Sequence, residues 1–297
     1  MNNSTTVLRE AAPAKINLYL HIAGRRPDGL HLIDSLVVFA ELGDVVSVAP
    51  GNDISLSRSG PMADDLPPLE DDLVYRAARL LAERCGVADG AAIHVEKNLP
   101  IASGIGGGSA DAAATIRALA RLWGLDLAPD QLASLASDLG ADVAVCLESR
   151  PLRVRGIGEQ LSLPGALAPL HAVLINPRLA VATAEVFAAF AAAPPTPDPG
   201  PDMPETWSGD PHRFVVQLAA QRNDLTGAAL SLCPAIGDVL AQLGAQPECL
   251  LPRLCGSGAT CFGLFATPAA AQGAAAALRR DNPNWWVAAT ALDTGGD

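Results

Sequence analysis

The segment Leu99-Pro100-Ile101-Ala102-Ser103-Gly104-Ile105-Gly106-Gly107-Gly108-Ser109-Ala110 constrains this chain more than any other. It carries four glycines within five positions and runs straight into an alanine-rich stretch of helical character, Asp111 to Trp123. Glycine loses more conformational freedom on folding than any other residue. Such a cluster is kept where another group must approach the backbone closely. A helix starting behind it brings unpaired amide N–H groups and the positive end of the helix dipole to one place. That combination is an anion site, most often for phosphate.

Strand and helix patterns surround this loop. Ala14 to Ala23 alternates, with Ile16, Leu18, Leu20 and Ile22 on one side and Lys15, Asn17, Tyr19 and His21 on the other, the period of a half-buried strand. Leu36 to Phe39, Asp44 to Val48, Ala92 to Glu96, His171 to Asn176, Cys261 to Phe265 and Trp286 to Ala291 read as further strands, and Leu152 to Leu163 as a hairpin. Leu73 to Cys85 has helical spacing with a stop at Gly86, and Pro129 suits the first position of a helix that Gly140 closes. Thr183 to Ala192, Phe214 to Gln221, Leu225 to Leu230, Ile236 to Leu243 and the stretch behind Thr267-Pro268 read as helices. Met62 to Asp72 reads as a loop, as does 194–211 with its seven prolines and two glycines. Without a regular βαβ repeat the class is α+β. A length of 297 residues points to two domains.

A formal charge of −12 argues against sequence-independent binding of DNA or RNA, which needs a basic footprint. It also gives no long-range attraction to a polyanion, so affinity for phosphate must come from local donors and a bound cation. Aromatic residues are only 4% against 49% hydrophobic, so Ala, Leu and Val must build the core. Six scattered cysteines without a C-x-x-C pair fit reduced thiols better than a metal site. Met1 to Pro13 has no apolar signal core, and no uninterrupted stretch is long enough for a membrane. The expectation is a soluble, cytoplasmic protein, without nucleic-acid or membrane partners, as a monomer or homodimer.

Three phosphate loops fail against this sequence. A Walker loop needs a lysine after its last glycine, and none follows Gly108; a dinucleotide fingerprint needs glycine where Ser109 stands. Protein kinases need H-R-D and D-F-G segments, which are absent. A mobile linker has no reason to lead directly into a helix. What remains, P-x-x-x-G-x-G-G-G-S-A, resembles the second motif of the GHMP kinases. Pro13-Ala14-Lys15-Ile16-Asn17-Leu18 is similar to their first motif, and Gly256-Ser257-Gly258-Ala259-Thr260-Cys261-Phe262 to their third. The longer run from Pro13 to His31, with Gly140-Ala141-Asp142-Val143 and Arg155-Gly156-Ile157-Gly158-Glu159, resembles the members that phosphorylate a cytidyl diphosphate alcohol for non-mevalonate isoprenoid synthesis.

The resemblance implies a two-domain fold, an S5-like ATP-binding domain over 1–164 and a ferredoxin-like domain over 165–297. It implies ATP and Mg²⁺, with Pro100, Ile101, Ala102, Ser103, Gly104, Ile105, Gly106, Gly107, Gly108, Ser109 and Ala110 wrapping the phosphates. Ser109 reads equally as a helix N-cap and as a hydroxyl for phosphate or Mg²⁺. Asp142 would be the general base and Lys15 its partner, balancing charge during transfer. Asn17 would bind substrate hydroxyls, and Gly256, Ser257 and Gly258 would fold beside the nucleotide loop. His31 matches the residue that reads the cytosine edge. Leu30 stands where the family usually has a stacking tyrosine, and Phe187 is either the opposing aromatic or a helix-core residue. Two alternatives remain open: a GHMP kinase for another alcohol (mevalonate, homoserine or a sugar), which Leu30 makes credible, and a non-catalytic nucleotide-binding regulator.

Overall fold

The structure is a computed structural model that describes residues 7–63, 68–192 and 203–295; residues 64–67 of the acidic loop and 194–202 of the proline-rich segment lie outside the described residues. The chain divides into two compact units that interleave. Met1–Ala14, Gly43–Ile101 and Gly106–Ser149 form the first, and Lys15–Leu42, Ala102–Ile105 and Arg150–Asp297 the second. Two long strands, β1 (Leu8–Arg25) and β2 (His31–Gly51), each run through both units.

The alternation in the sequence breaks near Gly43, which is why Leu36 to Phe39 and Asp44 to Val48 read as separate strands. They are one. A Cβ on Gly43 would lie 2.4 Å from the Ala12 carbonyl oxygen, so this glycine marks a close backbone approach within β2 and not its end.

In the first unit β4 (Gly90–Glu96) lies between the parallel strand β3 (Ser55–Ser59) and the antiparallel Val45–Gly51 stretch of β2. Four helices accompany them: α1 (Leu73–Cys85), α2 (Gly107–Leu122), α3 (Pro129–Leu139) and α4 (Ala141–Glu148). Asp72 caps α1 by accepting the Val74 N–H at 2.8 Å, and Gly86 ends it at φ 65. Helix α2 packs on α1 and α4 through Ala110, Ala112, Ala113, Ala114 and Ala118, all buried. Their small side chains let neighbouring helices approach closely, as a core poor in aromatics requires. The helix begins at Gly107, four residues before the start that the alanine run indicates.

In the second unit the hairpin β5 (Leu152–Gly156) and β6 (Gln160–Ser162) pairs with Ile33–Val37 of β2. Next come β7 (Leu170–Asn176), α5 (Thr183–Ala192), α6 (Pro211–Ala219), α7 (Thr226–Leu232), α8 (Ala235–Gly244), β8 (Leu251–Leu254), β9 (Cys261–Phe265), α9 (Pro268–Asp281) and β10 (Trp286–Asp293). Strand β10 pairs antiparallel with β7 and with Phe39–Ala40 of β2, β7 with β9, and β9 with β8. Val173, Ile175, Ile236, Val239, Leu243, Phe265 and Leu278 form the centre of its core. Pro211, counted above with the loop, is the first residue of α6, with Asp210 capping the Arg213 N–H at 2.9 Å. No helix among the described residues is long and apolar enough to cross a membrane.

Candidate active site

Within the first unit, the informative feature is the start of α2. Gly106 is the N-cap, in the left-handed region at φ 66, and supplies no capping side chain. The helical ladder opens with Ala110 N–H donating to Gly106 O at 2.8 Å. The amides of Gly107, Gly108 and Ser109 therefore precede it. Ser109 sits at the third helical position, so the N-cap role open to it in the sequence belongs to Gly106. A Cβ on exposed Gly108 would meet nothing within 4 Å, and one on Gly107 only ordinary contacts of 3.7–3.8 Å. Alanine in a helix is worth about 1 kcal/mol over glycine. Nothing inside the described chain asks for glycine at these two positions.

Beneath this start lies a buried charged group that the sequence patterns did not show. Lys97 Nζ donates to Asp44 Oδ2 and to Asp111 Oδ2, each at 2.5 Å. Asp44 Oδ1 also accepts the Asn98 and Leu99 N–H groups at 2.5 and 2.8 Å. Burial alone would lower Lys97, but the Asp111 and Asp44 charges outweigh it and hold it protonated. Burial pushes the Asp111 carboxyl up. Asp142, in the same unit, is exposed at the second position of α4, directly after Gly140 at φ 144. An acid there also complements the helix dipole. Arg117 steadies α4 by donating to Cys146 O at 2.9 Å.

The second unit holds the predicted residues outside the first, which also contains Pro100, Ile101 and Ala110. Lys15 is only 5% exposed and donates to Asn17 Oδ1 at 3.1 Å. Asn17 Nδ2 donates to Ser35 Oγ at 2.8 Å, and Ser35 Oγ to Tyr19 O at 2.6 Å. This relay fixes the Asn17 amide with its oxygen toward the ammonium. The Lys15 N–H donates to Ile105 O at 2.9 Å, tying β1 to the middle of the glycine-rich segment. That middle is tight. Ala102 has φ 48, a left-handed backbone that a non-glycine residue rarely adopts. A Cβ on Gly104 would lie 2.6 Å from Cys255 O, and one on Gly256 2.6 Å from Gly104 O. The Ala102–Ile105 piece of the second motif thus packs backbone to backbone on Cys255 and on Gly256 and Gly258 of the third. Thr260 N–H donates to Ser103 O at 3.1 Å, and the Ser257 and Thr183 hydroxyls are 2.9 Å apart. Asn223, not singled out by sequence, holds the third motif by donating to Leu254 O and Gly256 O at 3.0 and 2.7 Å.

His31 and Phe187 come together, ring centroids 5.1 Å apart and tilted by 34°, with Phe190 edge-on to His31 at 6.0 Å. Phe187 also packs against the core of this unit, as a helix-core residue does. Burial, then the Arg25 charge, pushes His31 below the usual histidine range and keeps it neutral, able to donate and accept at once. Leu30 beside it is 49% exposed.

Tyr19, placed by alternation on the polar face, is fully buried, because its hydroxyl has a partner in Asp34 Oδ1 at 3.0 Å. Arg153 grips the same carboxylate through two N–H groups at 3.0 and 2.5 Å. Burial would raise Asp34, but Arg153 and Tyr19 outweigh it and hold the carboxyl below the usual range. Their partners lie in strands remote in sequence, which local patterning does not reveal.

The model of the GHMP kinases N terminal domain matches residues 72–150, and that of the GHMP kinases C terminal domain residues 213–284. The chain is 48% identical to a 4-diphosphocytidyl-2-C-methyl-D-erythritol kinase of Paramagnetospirillum magneticum, over 95% of this chain and 97% of that protein. It is 52% identical to the kinase of the same name from Paracoccus denitrificans, over 96% of each. A crystal structure of 4-(cytidine 5'-diphospho)-2C-methyl-D-erythritol kinase superposes with a TM-score of 0.77 at 34% identity, covering 97% of this chain and all of that one.

Proposed function

The chain belongs to the GHMP kinases, and we propose that it moves the terminal phosphoryl group of ATP to the 2-hydroxyl of 4-diphosphocytidyl-2-C-methyl-D-erythritol, a step of non-mevalonate isoprenoid precursor synthesis. Identity of about half the residues along nearly the whole chain to kinases of that name carries this conclusion. The neutral His31 facing Phe187 supports it, since a cytosine ring asks for an edge reader beside an aromatic face.

Phosphoryl transfer asks a protein mainly for positioning and for neutralisation of charge. The amides of Gly107, Gly108 and Ser109 hold the triphosphate at the start of α2, with the backbone from Pro100 to Gly106 closing round it. Asp142 accepts the proton of the 2-hydroxyl as its oxygen forms a bond to the γ-phosphorus. The bond between that phosphorus and the β–γ bridging oxygen breaks, and ADP leaves. Lys15 balances the negative charge, and Asn17, oriented by Ser35, hydrogen-bonds the alcohol. Leu30, His31 and Phe187 seat the base, and Gly256, Ser257 and Gly258 complete the substrate side. Nucleotide binding belongs to 1–164 and closure over the substrate to 165–297. The Ser109 hydroxyl fits Mg²⁺ as a hard oxygen donor, and one protein ligand suffices for an ion that keeps most of its waters. When bound, Mg²⁺ neutralises phosphate charge. The enzyme works in the cytoplasm as a monomer or homodimer.

Initial rates with ATP and a panel of alcohols test this. Preferred turnover of the cytidyl diphosphate substrate is expected. Preference for mevalonate or homoserine would instead favour the other family alcohols, for which exposed Leu30 in place of an aromatic is the one supporting feature. ATP binding without turnover of any alcohol would leave a nucleotide-binding regulator.

A further inference from the structure

The segment from Pro100 to Gly106 is held at both feet by a single ammonium group. At the near foot, Asp44 Oδ1 accepts the N–H groups of Asn98 and Leu99, and its Oδ2 accepts Lys97 Nζ. At the far foot, the same Nζ donates to Asp111, the fifth residue of α2. The three side chains are buried, none more than 5% exposed. Asp44 Oδ2 would lie 3.8 Å from a Cβ on Gly107, directly against the first residue of the helix. Lys97 is itself fixed, its N–H donating to Ser59 O at 2.7 Å.

Support alone is a poor reason for this arrangement. Apolar residues of similar volume usually stabilise a core as well as a buried ion group or better. Here two carboxylates share one cation, and Asp111 Oδ1 has no hydrogen-bond partner among the described residues. What the group does supply is a fixed separation between the point where the chain leaves β4 and the point where α2 begins. We propose that Lys97, with Asp44 and Asp111, is a positioning clamp that sets the geometry of the phosphate-binding amides at Gly107, Gly108 and Ser109. The inference rests on the kinase reading of that loop, and Lys97 acts through the amides without touching the nucleotide.

The test uses the purified full chain, calorimetric binding of adenylyl imidodiphosphate with Mg²⁺, and initial-rate kinetics. Lys97→Met is expected to weaken binding of the analogue and raise KM for ATP about tenfold, the scale of a loop displaced by a fraction of an ångström. KM for the alcohol and kcat at saturating ATP stay within about twofold, a split that general loss of structure does not produce. Because Lys97→Met leaves two carboxylates without a counter-ion, the double variant Lys97→Met/Asp111→Leu serves beside it. That variant leaves Asp44 with its two backbone donors, and it recovers thermal stability while the nucleotide defect persists. Wild-type affinity for the analogue in the double variant overturns the clamp, as does a parallel loss of kcat and of alcohol affinity. If the wild-type chain itself fails to bind the analogue, the kinase reading falls first, and the clamp with it.

Discussion

Gly104 has φ 76, and a Cβ on it would lie 2.6 Å from Cys255 O; Gly108, four residues on, has nothing within 4 Å of the same position. The first glycine is demanded by the chain, which brings two stretches of backbone into contact there. The second is demanded by nothing among the described residues, and under the proposed function its reason is the ligand. Acidic residues differ in burial. Asp72 is buried, caps α1 and receives Arg58 at 2.6 Å, whereas Asp142 is exposed in the first turn of α4. A residue that folding does not explain, in a loop with a stated chemistry, is where function is legible. Those that folding does explain show how the site is held.

Asp142→Asn gives the largest expected effect. It keeps the shape of the side chain and removes the base, so kcat falls about a thousandfold while ATP affinity and melting temperature hold. Unchanged turnover in a rapid-quench assay breaks the assignment. Gly104→Ala tests the opposite class: a Cβ driven against backbone at positive φ lowers unfolding free energy by about 3 kcal/mol in urea titrations. Equal stability would show that the loop can shift there. Gly108→Ala separates the classes most sharply, because helix propensity raises stability by up to about 1 kcal/mol while KM for ATP rises. A variant both more stable and equally tight for ATP would remove the ligand as the reason for this glycine. The smallest effect is in pH. His31 is neutral at and above the ordinary histidine value of 6.5, and its lowered pKa puts its protonation below that. KM for the cytidyl substrate therefore rises only as pH falls below that value, since an imidazolium cannot accept. His31→Gln should flatten that limb, and its persistence would place the titrating group elsewhere.

Much of the fold was readable because local chemistry is unambiguous where caps and periodicity agree. Helices α1 and α5 run over the residues that their spacing marks, and the hairpin at β5–β6 follows its glycines. The three motifs were readable through their resemblance to those of the GHMP kinases. Strand β3, Ser55-Leu-Ser-Arg-Ser, has a single apolar residue because it pairs only with β4, at the edge. Strand β8 hides behind Pro252, which an edge strand tolerates. The break at Gly43 and the early start of α2 were missed because glycine at Gly43 answers to a neighbouring backbone and, under the proposed function, at α2 to a ligand, neither of which a window of sequence contains. The buried groups around Asp34 and Lys97 join side chains from distant strands, so only the folded chain shows that each charge has its counterpart.

The interleaving of the two units has a consequence for biosynthesis. Residues 43–101 and 106–149 leave the ribosome with most of the first unit already available. Phe39 and Ala40 of β2, made earlier, wait for partners that come last, Asp293 and Leu292 of β10, whereas Ile33–Val37 can pair with β5 sooner. Long-range pairing of this kind is slow and leaves strand edges open meanwhile. A nascent chain that has not yet added Leu292 and Asp293 cannot make that pairing, so Phe39 and Ala40 stay without it until β10 is made.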